Sequence, residues 1–226
     1  MLCVRSALQS AGVLLAATVL TGIPALTPTA VAAAPDSAQS QCSATFFESD
    51  RRLGPEQLPA PGLSEVGDEV AGYRRTGQDT PEQFLAQYYD PTANGGQGSF
   101  IYPPANGFVI NPDGYPEETP RALAVGTRLD RYGSEFGGFL APYGAPYGAR
   151  SIPPANLDTF DSRYTCNYHA YEVIKPFTVE AGPAAAWFTQ PGGGEQYQLD
   201  GTLLPDRPTG ANIKYLIDNG YLQRLN

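Results

Sequence analysis

The sequence predicts an α+β fold: a small, mainly antiparallel twisted sheet with short helices and long ordered loops, preceded by an amino-terminal helical and loop subdomain. Three observations carry that expectation. Short runs rich in β-forming residues recur in the second half, above all Tyr164 to Lys175 (YTCNYHAYEVIK) and Gln196 to Leu199. Helical periodicity is confined to two brief stretches, one near residue 80 and one near residue 213. Glycine and proline, 25 and 22 of 226 residues, interrupt both kinds of ladder and keep every element short.

In chain order, residues 1–33 read as a secretory signal peptide. Arg5 precedes the apolar run Ala11 to Leu20, and small residues at Val31, Ala32 and Ala33 offer a cleavage site. That run falls short of the roughly 20 apolar residues that a membrane-spanning helix needs. The product is therefore expected to be secreted and extracellular, with no membrane span. Residues 34–98 form the expected amino-terminal subdomain and linker. They contain proline-rich connectors and one helix, in which Thr80 caps, Pro81 takes the first position and Gln83 completes a capping box. Phe84, Leu85 and Tyr88 supply its apolar stripe. Asp90 to Gly98 (DPTANGGQG) reads as a surface loop from its turn residues.

Residues 99–226 form the second expected domain. Its organising stretch, Leu129 to Pro154 (LDRYGSEFGGFLAPYGAPYGARSIPP), combines Arg131 and Arg150 with a dense set of rings and frequent Gly and Pro. It reads as a poor helix and an awkward strand. Two uses fit such a loop: a grip on a flat anionic ligand by rings and guanidinium forks, or plain packing with Arg–carboxylate pairs to Asp130 or Glu135. Downstream, Tyr164 to Lys175 and Ala185 to Thr189 (AAWFT) are expected strands. The turn PGGG feeds a third, in which alternation puts Tyr197 and Leu199 on one face and Gln196 and Gln198 on the other. Asn212 to Asp218 is a short helix that buries Ile213, Leu216 and Ile217, and Tyr221 to Leu225 returns as an extended piece.

Without its leader the chain loses one arginine, and its net charge passes from −9 to −10. So acidic a protein is not a general nucleic-acid binder, because that role needs clustered Lys and Arg to neutralise phosphates. Cys3 leaves with the leader, and Cys42 and Cys166 remain. In an oxidising compartment two such residues favour a disulfide. A catalytic thiol is disfavoured, because the odd spacing from Cys166 to His169 on an expected strand places them on opposite faces. One histidine and two cysteines form no zinc site.

The motifs YPPANGF (Tyr102 to Phe108), VGTRLDRYGSEFGGFLAP (Val125 to Pro142), RSIPP (Arg150 to Pro154), YEVIKPFTVEAGP (Tyr171 to Pro183) and WFTQPGGGEQY (Trp187 to Tyr197) together resemble the tuberculosis necrotizing toxin family of NAD glycohydrolase domains. The segment CSATFFESDRRLGPEQLP, followed by a helix, is similar to the amino-terminal part of the family's secreted fungal surface members. The resemblance implies cleavage of the nicotinamide–ribose bond of NAD, with NADP also accepted; both are substrates, and no cofactor is implied. Carried over by motif, Arg131, Arg150 and Gln196 are the catalytic positions, and Tyr132 and Phe139 contact the substrate's rings. The family's fungal members are calcium-responsive dimers, so the resemblance raises a homodimer and a calcium site here too. The tail IDNGYLQRLN, with Asp218 as its only acid, supplies too few oxygen ligands for calcium.

The chemistry of the residues agrees with these roles. Nicotinamide leaves NAD as a neutral molecule, so no general acid is required, unlike an ordinary glycosidase with its two carboxylates. Two arginines would hold the pyrophosphate, and Gln196 would orient a ribose hydroxyl or the attacking water. Glu135, Glu195 and Asp130 lie in the same motifs as candidate partners of a ribosyl cation or as ordinary surface or Arg-paired charges. Two other classes share the scaffold: a mono-ADP-ribosyltransferase toxin, and a secreted binding module without activity.

Overall fold

The computed structural model describes residues 40–226. The expected leader, residues 1–33, lies outside them. Two short helices come first, α1 (Glu65–Glu69) and α2 (Pro81–Tyr88). Ser64 caps α1 by accepting from Gly67 N–H. Thr80 and Gln83 close the capping box foreseen for α2, with Pro81 at its first position. Where a surface loop was expected, β1 (Tyr89–Asp90) pairs with β2 (Ser99–Phe100) across the kinked turn α3 (Ala93–Gly96).

The remainder is one seven-stranded sheet built from β3 (Thr119–Leu123), β4 (Arg128–Tyr132), β5 (Phe139–Pro142), β6 (Tyr168–Val173), β7 (Phe177–Pro183), β8 (Glu195–Gln198) and β9 (Leu222–Arg224). Its order is β3-β7-β8-β5-β4-β6-β9, and every pairing is antiparallel. The helix α4 (Ile213–Asp218), capped by Asn212, packs Ile213 and Leu216 into the core. An α+β fold with a mainly antiparallel sheet is thus what the chain adopts.

Register separates the two faces. Leu129 stands opposite Tyr171, and Leu140 opposite Tyr197; these residues share one face with Val173, Val179 and Leu199 and form the larger core under α4. The alternate residues Asp130, Tyr132, Tyr168, Ala170, Phe139, Gln196 and Gln198 occupy the other face. Part of that second face is closed by Val66 of α1 and its C-cap Val70 together with Tyr147 and Leu157. The disulfide Cys42–Cys166 adjoins the same cluster and spans 124 residues of sequence. On the chain-entropy model such a loop stabilises by about 5 kcal/mol.

Three sequence expectations change. The strand expected from Tyr164 begins at Tyr168, because Thr165–Asn167 form a turn with Cys166 left-handed at φ 55°; strand alternation therefore does not relate Cys166 to His169, and the disulfide is what removes the free thiol. The stretch from Leu129, read as an awkward strand, supplies β4 and β5, both interior strands of the sheet. Its glycines fall outside the strands, Gly133, Gly137 and Gly138 between β4 and β5 and Gly144 and Gly148 after β5, so the breakers do not interrupt the ladder. Ala185 to Thr189 is not a strand. Phe188 and Thr189 both have left-handed backbone, with φ of 49° and 57°, and Gln190 N–H closes the turn on the Trp187 carbonyl. Burying Phe188 among Leu53, Phe84 and Tyr88 overrides the strand propensity of its neighbours.

Candidate active site

β8 presents Gln196 on the second face, half-buried, with its Nε2 donating to the Asn106 carbonyl at 2.9 Å. Phe139, at the start of β5, stands opposite Gln198 on the same face, two residues along β8 from Gln196, and its ring is 42% exposed. Strand alternation thus brings Phe139 and Gln196 to one surface.

Arg131 projects from the opposite face of β4, level with His169. Its guanidinium turns toward the β4–β5 connection, where Nε donates to the Gly133 carbonyl at 3.2 Å and Nη1 to the Phe139 carbonyl at 2.8 Å. Burial pulls its pKa below the usual arginine value. Gly137 lies directly against this group: a Cβ there would stand 2.4 Å from Arg131 Nη2. Arg131 therefore reaches the backbone of Phe139 while its own strand position faces away from Gln196.

Arg150 has a different environment. The turn Tyr147–Arg150 places it in a buried cluster, where Nη1 donates to Asp130 at 2.5 Å and Nη2 to Glu69 at 2.8 Å. Nε and Nη2 also donate to the Ala145 carbonyl. Burial would lower its pKa, but the two carboxylates outweigh that and hold it above the usual value. Tyr132 belongs to the same cluster. Its hydroxyl donates to Glu69 at 2.8 Å, and its ring lies 5.1 Å from the Arg150 guanidinium. Asp130 further accepts from Gly144 N–H and the Tyr168 hydroxyl. Burial pushes the Glu69 carboxyl up to about 8, with Arg150 opposing, and Glu69 Oε1 has no hydrogen-bond partner among the described residues. Arg150 and Tyr132 are thus packed behind the open surface, linked to it through the backbone: Gly194 N–H donates to the Ala149 carbonyl at 3.0 Å, just before β8.

Of the two packing partners foreseen for the arginines, Asp130 pairs with Arg150, whereas Glu135 pairs with Arg224 at 2.7 Å. Burial would raise Glu135, but Arg224 outweighs it and holds the carboxyl below its usual range. His169 is buried beside this pair, and desolvation pushes it down to about 4. Glu195 accepts from the Tyr197 hydroxyl and pairs with Arg121. A cleft of about 500 Å³ lined by Glu118, Arg121, Gly182, Pro183 and Glu195 adjoins the β7–β8 edge. Another of about 380 Å³ is lined by Arg74, Asp79, Thr189 and Gln190. Neither is lined by Arg131, Arg150, Phe139 or Gln196. Among the described residues no group of three His, Cys, Asp or Glu side chains could hold a metal ion, and Asp218 is engaged by Lys214 at 2.7 Å.

Two participants escape a reading of the sequence. Glu69 sits in a helix of five residues, too brief to show periodicity, and it is the second counter-charge of Arg150. The Asn106 carbonyl is a backbone group; its only signal is the Asn-Gly pair of a turn.

Comparison with known proteins gives consistent results. The model of the family described as tuberculosis necrotizing toxin matches residues 122–225. Over 182 residues the chain is 45% identical to the conidial surface nicotinamide adenine dinucleotide glycohydrolase nadA of Aspergillus fumigatus, covering 80% of this chain and 72% of that protein. Among solved structures, tuberculosis necrotizing toxin complexed with its immunity factor is 24% identical. It covers 64% of this chain and 71% of that one, with a TM-score of 0.47.

Proposed function

The chain belongs to the tuberculosis necrotizing toxin family, and from that premise we propose that it is a secreted NAD glycohydrolase which hydrolyses the nicotinamide–ribose bond of NAD and also accepts NADP. The observation that carries this reading is the 45% identity with a protein that bears that activity in its name. Extracellular action is consistent with the expected leader and with a surface-located relative. No helix among the described residues is long and apolar enough to cross a membrane.

The reaction asks little acid–base work of the protein. The bond between C1′ and the nicotinamide nitrogen breaks with its electron pair going to the ring, which leaves neutral. A water oxygen then bonds to C1′, and its proton passes to solvent. The residues have to orient the ribose, favour positive charge at C1′ and admit one water. Gln196 does the orienting as a neutral amide. Phe139 supplies an exposed ring on the same face, and Arg131, bonded to the Phe139 carbonyl, supplies a cation for the pyrophosphate. Arg150 serves as a positioning residue. Locked to Asp130 and Glu69, it holds the Tyr147–Arg150 turn against the strand that carries Gln196.

Incubation of the purified protein with NAD and with NADP, followed by analysis of products, tests the reading. Nicotinamide and ADP-ribose should appear from NAD, and Gln196→Ala should lower kcat by about a hundredfold with an unchanged unfolding midpoint. Absence of nicotinamide release, or equal turnover by the variant, would overturn the function or the role of Gln196 respectively. ADP-ribose found on acceptor proteins would move the assignment to a transferase.

A further inference from the structure

We propose that the turn Ala105–Gly107 positions Gln196, and that it fixes the amide so that Oε1 is offered to the substrate as an acceptor. The inference rests on the NAD glycohydrolase reading and adds to it the polarity of the working group. A backbone carbonyl can only accept, so the contact between Gln196 and Asn106 O must be made by Nε2, and the amide cannot be flipped without losing that bond. Oε1 then has no hydrogen bond among the described residues. It can take one only from a donor, which at this reacting centre is an O–H of the nicotinamide ribose or of the attacking water. An amide oxygen also carries partial negative charge, which favours the cation that develops at C1′.

The turn is built to hold this carbonyl in place. Ala105, Asn106 and Gly107 are three successive left-handed residues, with φ of 50°, 53° and 81°. The conformation is costly for alanine and persists only where neighbours enforce it. They do so here: Gly107 accepts from Ala185 N–H at 2.8 Å, and Val109 N–H donates to the Pro183 carbonyl at the end of β7 at 3.0 Å. A Cβ on Gly107 would stand 3.6 Å from Gln196 Oε1 and 3.7 Å from Nε2, so the turn borders both ends of the same amide.

Gly107→Ala and Gln196→Ala, alone and combined, test the clamp on NAD hydrolysis. Gly107→Ala should lower kcat about tenfold or more with KM within about twofold, since small displacements of positioning groups have effects of this size. In the Gln196→Ala background it should change kcat by less than about twofold, because the group it positions is gone. Additive losses overturn the clamp. Gln196→Glu covers the case in which Gly107→Ala does not fold. Its ionised carboxylate repels the Asn106 carbonyl and should be as slow as Gln196→Ala. Its protonated form donates O–H to that carbonyl while keeping an acceptor, so the rate should rise as pH falls through the carboxyl titration, with no such rise in the parent protein. The nearest charges along the strands, Glu195 with Arg121 on the opposite face and Glu180 on β7, are common to both proteins. A flat profile for Gln196→Glu overturns the acceptor assignment. 2′-Deoxy- and 3′-deoxyribose substrates separate the donors: loss of the Gln196→Ala defect on one of them assigns the hydroxyl it lacks, and persistence on both assigns water. A parent protein that releases no nicotinamide overturns the underlying reading, whereas an active parent with additive variants overturns the clamp alone.

Discussion

Replacing Arg150 with methionine isolates the energetic meaning of its burial. The side chain is 7% exposed and compensates two carboxylates, Asp130 at 0% and Glu69 at 2%. Methionine preserves much of the volume but strands both acids in a site closed by Tyr132 and Tyr168. Removing one partner of a buried ion pair costs about 3–5 kcal/mol. For a domain of this size, that corresponds to a fall of roughly 6–20 °C in Tm. The loss must also depend on pH. Burial already raises the Glu69 carboxyl with Arg150 opposing, so removing the cation raises it further above its unfolded value near 4. Groups raised in this way favour the folded state fully below the unfolded pKa and lose that contribution as pH rises through the folded one. Urea unfolding of Arg150→Met at pH 4.5 and at pH 8 should therefore show the larger deficit at pH 8. Adding Glu69→Gln, which removes the raised carboxyl altogether, should shrink the difference between the two pH values. A deficit under about 1 kcal/mol, or one equal at both pH values, would refute the electrostatic account of this cluster.

Two further outcomes follow from the same geometry. Gly137→Ala should raise KM for NAD severalfold and lower the unfolding midpoint, because its Cβ displaces an Arg131 guanidinium that donates to the Gly133 and Phe139 carbonyls; steady-state kinetics and thermal unfolding of the same variant check both. His169, buried and pushed down to about 4, stabilises the fold above its unfolded pKa near 6.5 and loses that contribution as pH falls through about 4. His169→Gln should therefore flatten the acid limb of stability between those values, as read by urea unfolding across pH 4 to 7.

Much of the architecture was legible where local chemistry agrees with the fold. The capping box at Thr80, the Asn212 cap of α4 and the alternation around Tyr197 are each set by a few adjacent residues. Alternation also correctly separated Gln196 from Tyr197. β4 and β5 were hidden because one face of β4 carries charges, Asp130 among them, that are tolerated only through long-range partners. Strand propensity misjudged Ala185 to Thr189 because the burial of Phe188 is settled by α2, a hundred residues earlier. The site showed the same division. The residue types of Arg131, Arg150 and Gln196 and their motifs could be read directly. That Arg150 is engaged by Glu69 could not, since no local pattern joins residues 81 apart.

Glu69 and Cys42 also bear on how the chain can be divided. A fragment beginning near residue 99 would retain every residue proposed to meet NAD, but it would leave behind one of Arg150's two carboxyl partners and half of the disulfide. The amino-terminal segment is therefore a chemical component of the catalytic half, and the two stretches are electrically and covalently interdependent. Recombination with a relative would have to exchange them together, or supply a new hydrogen-bond acceptor for Arg150.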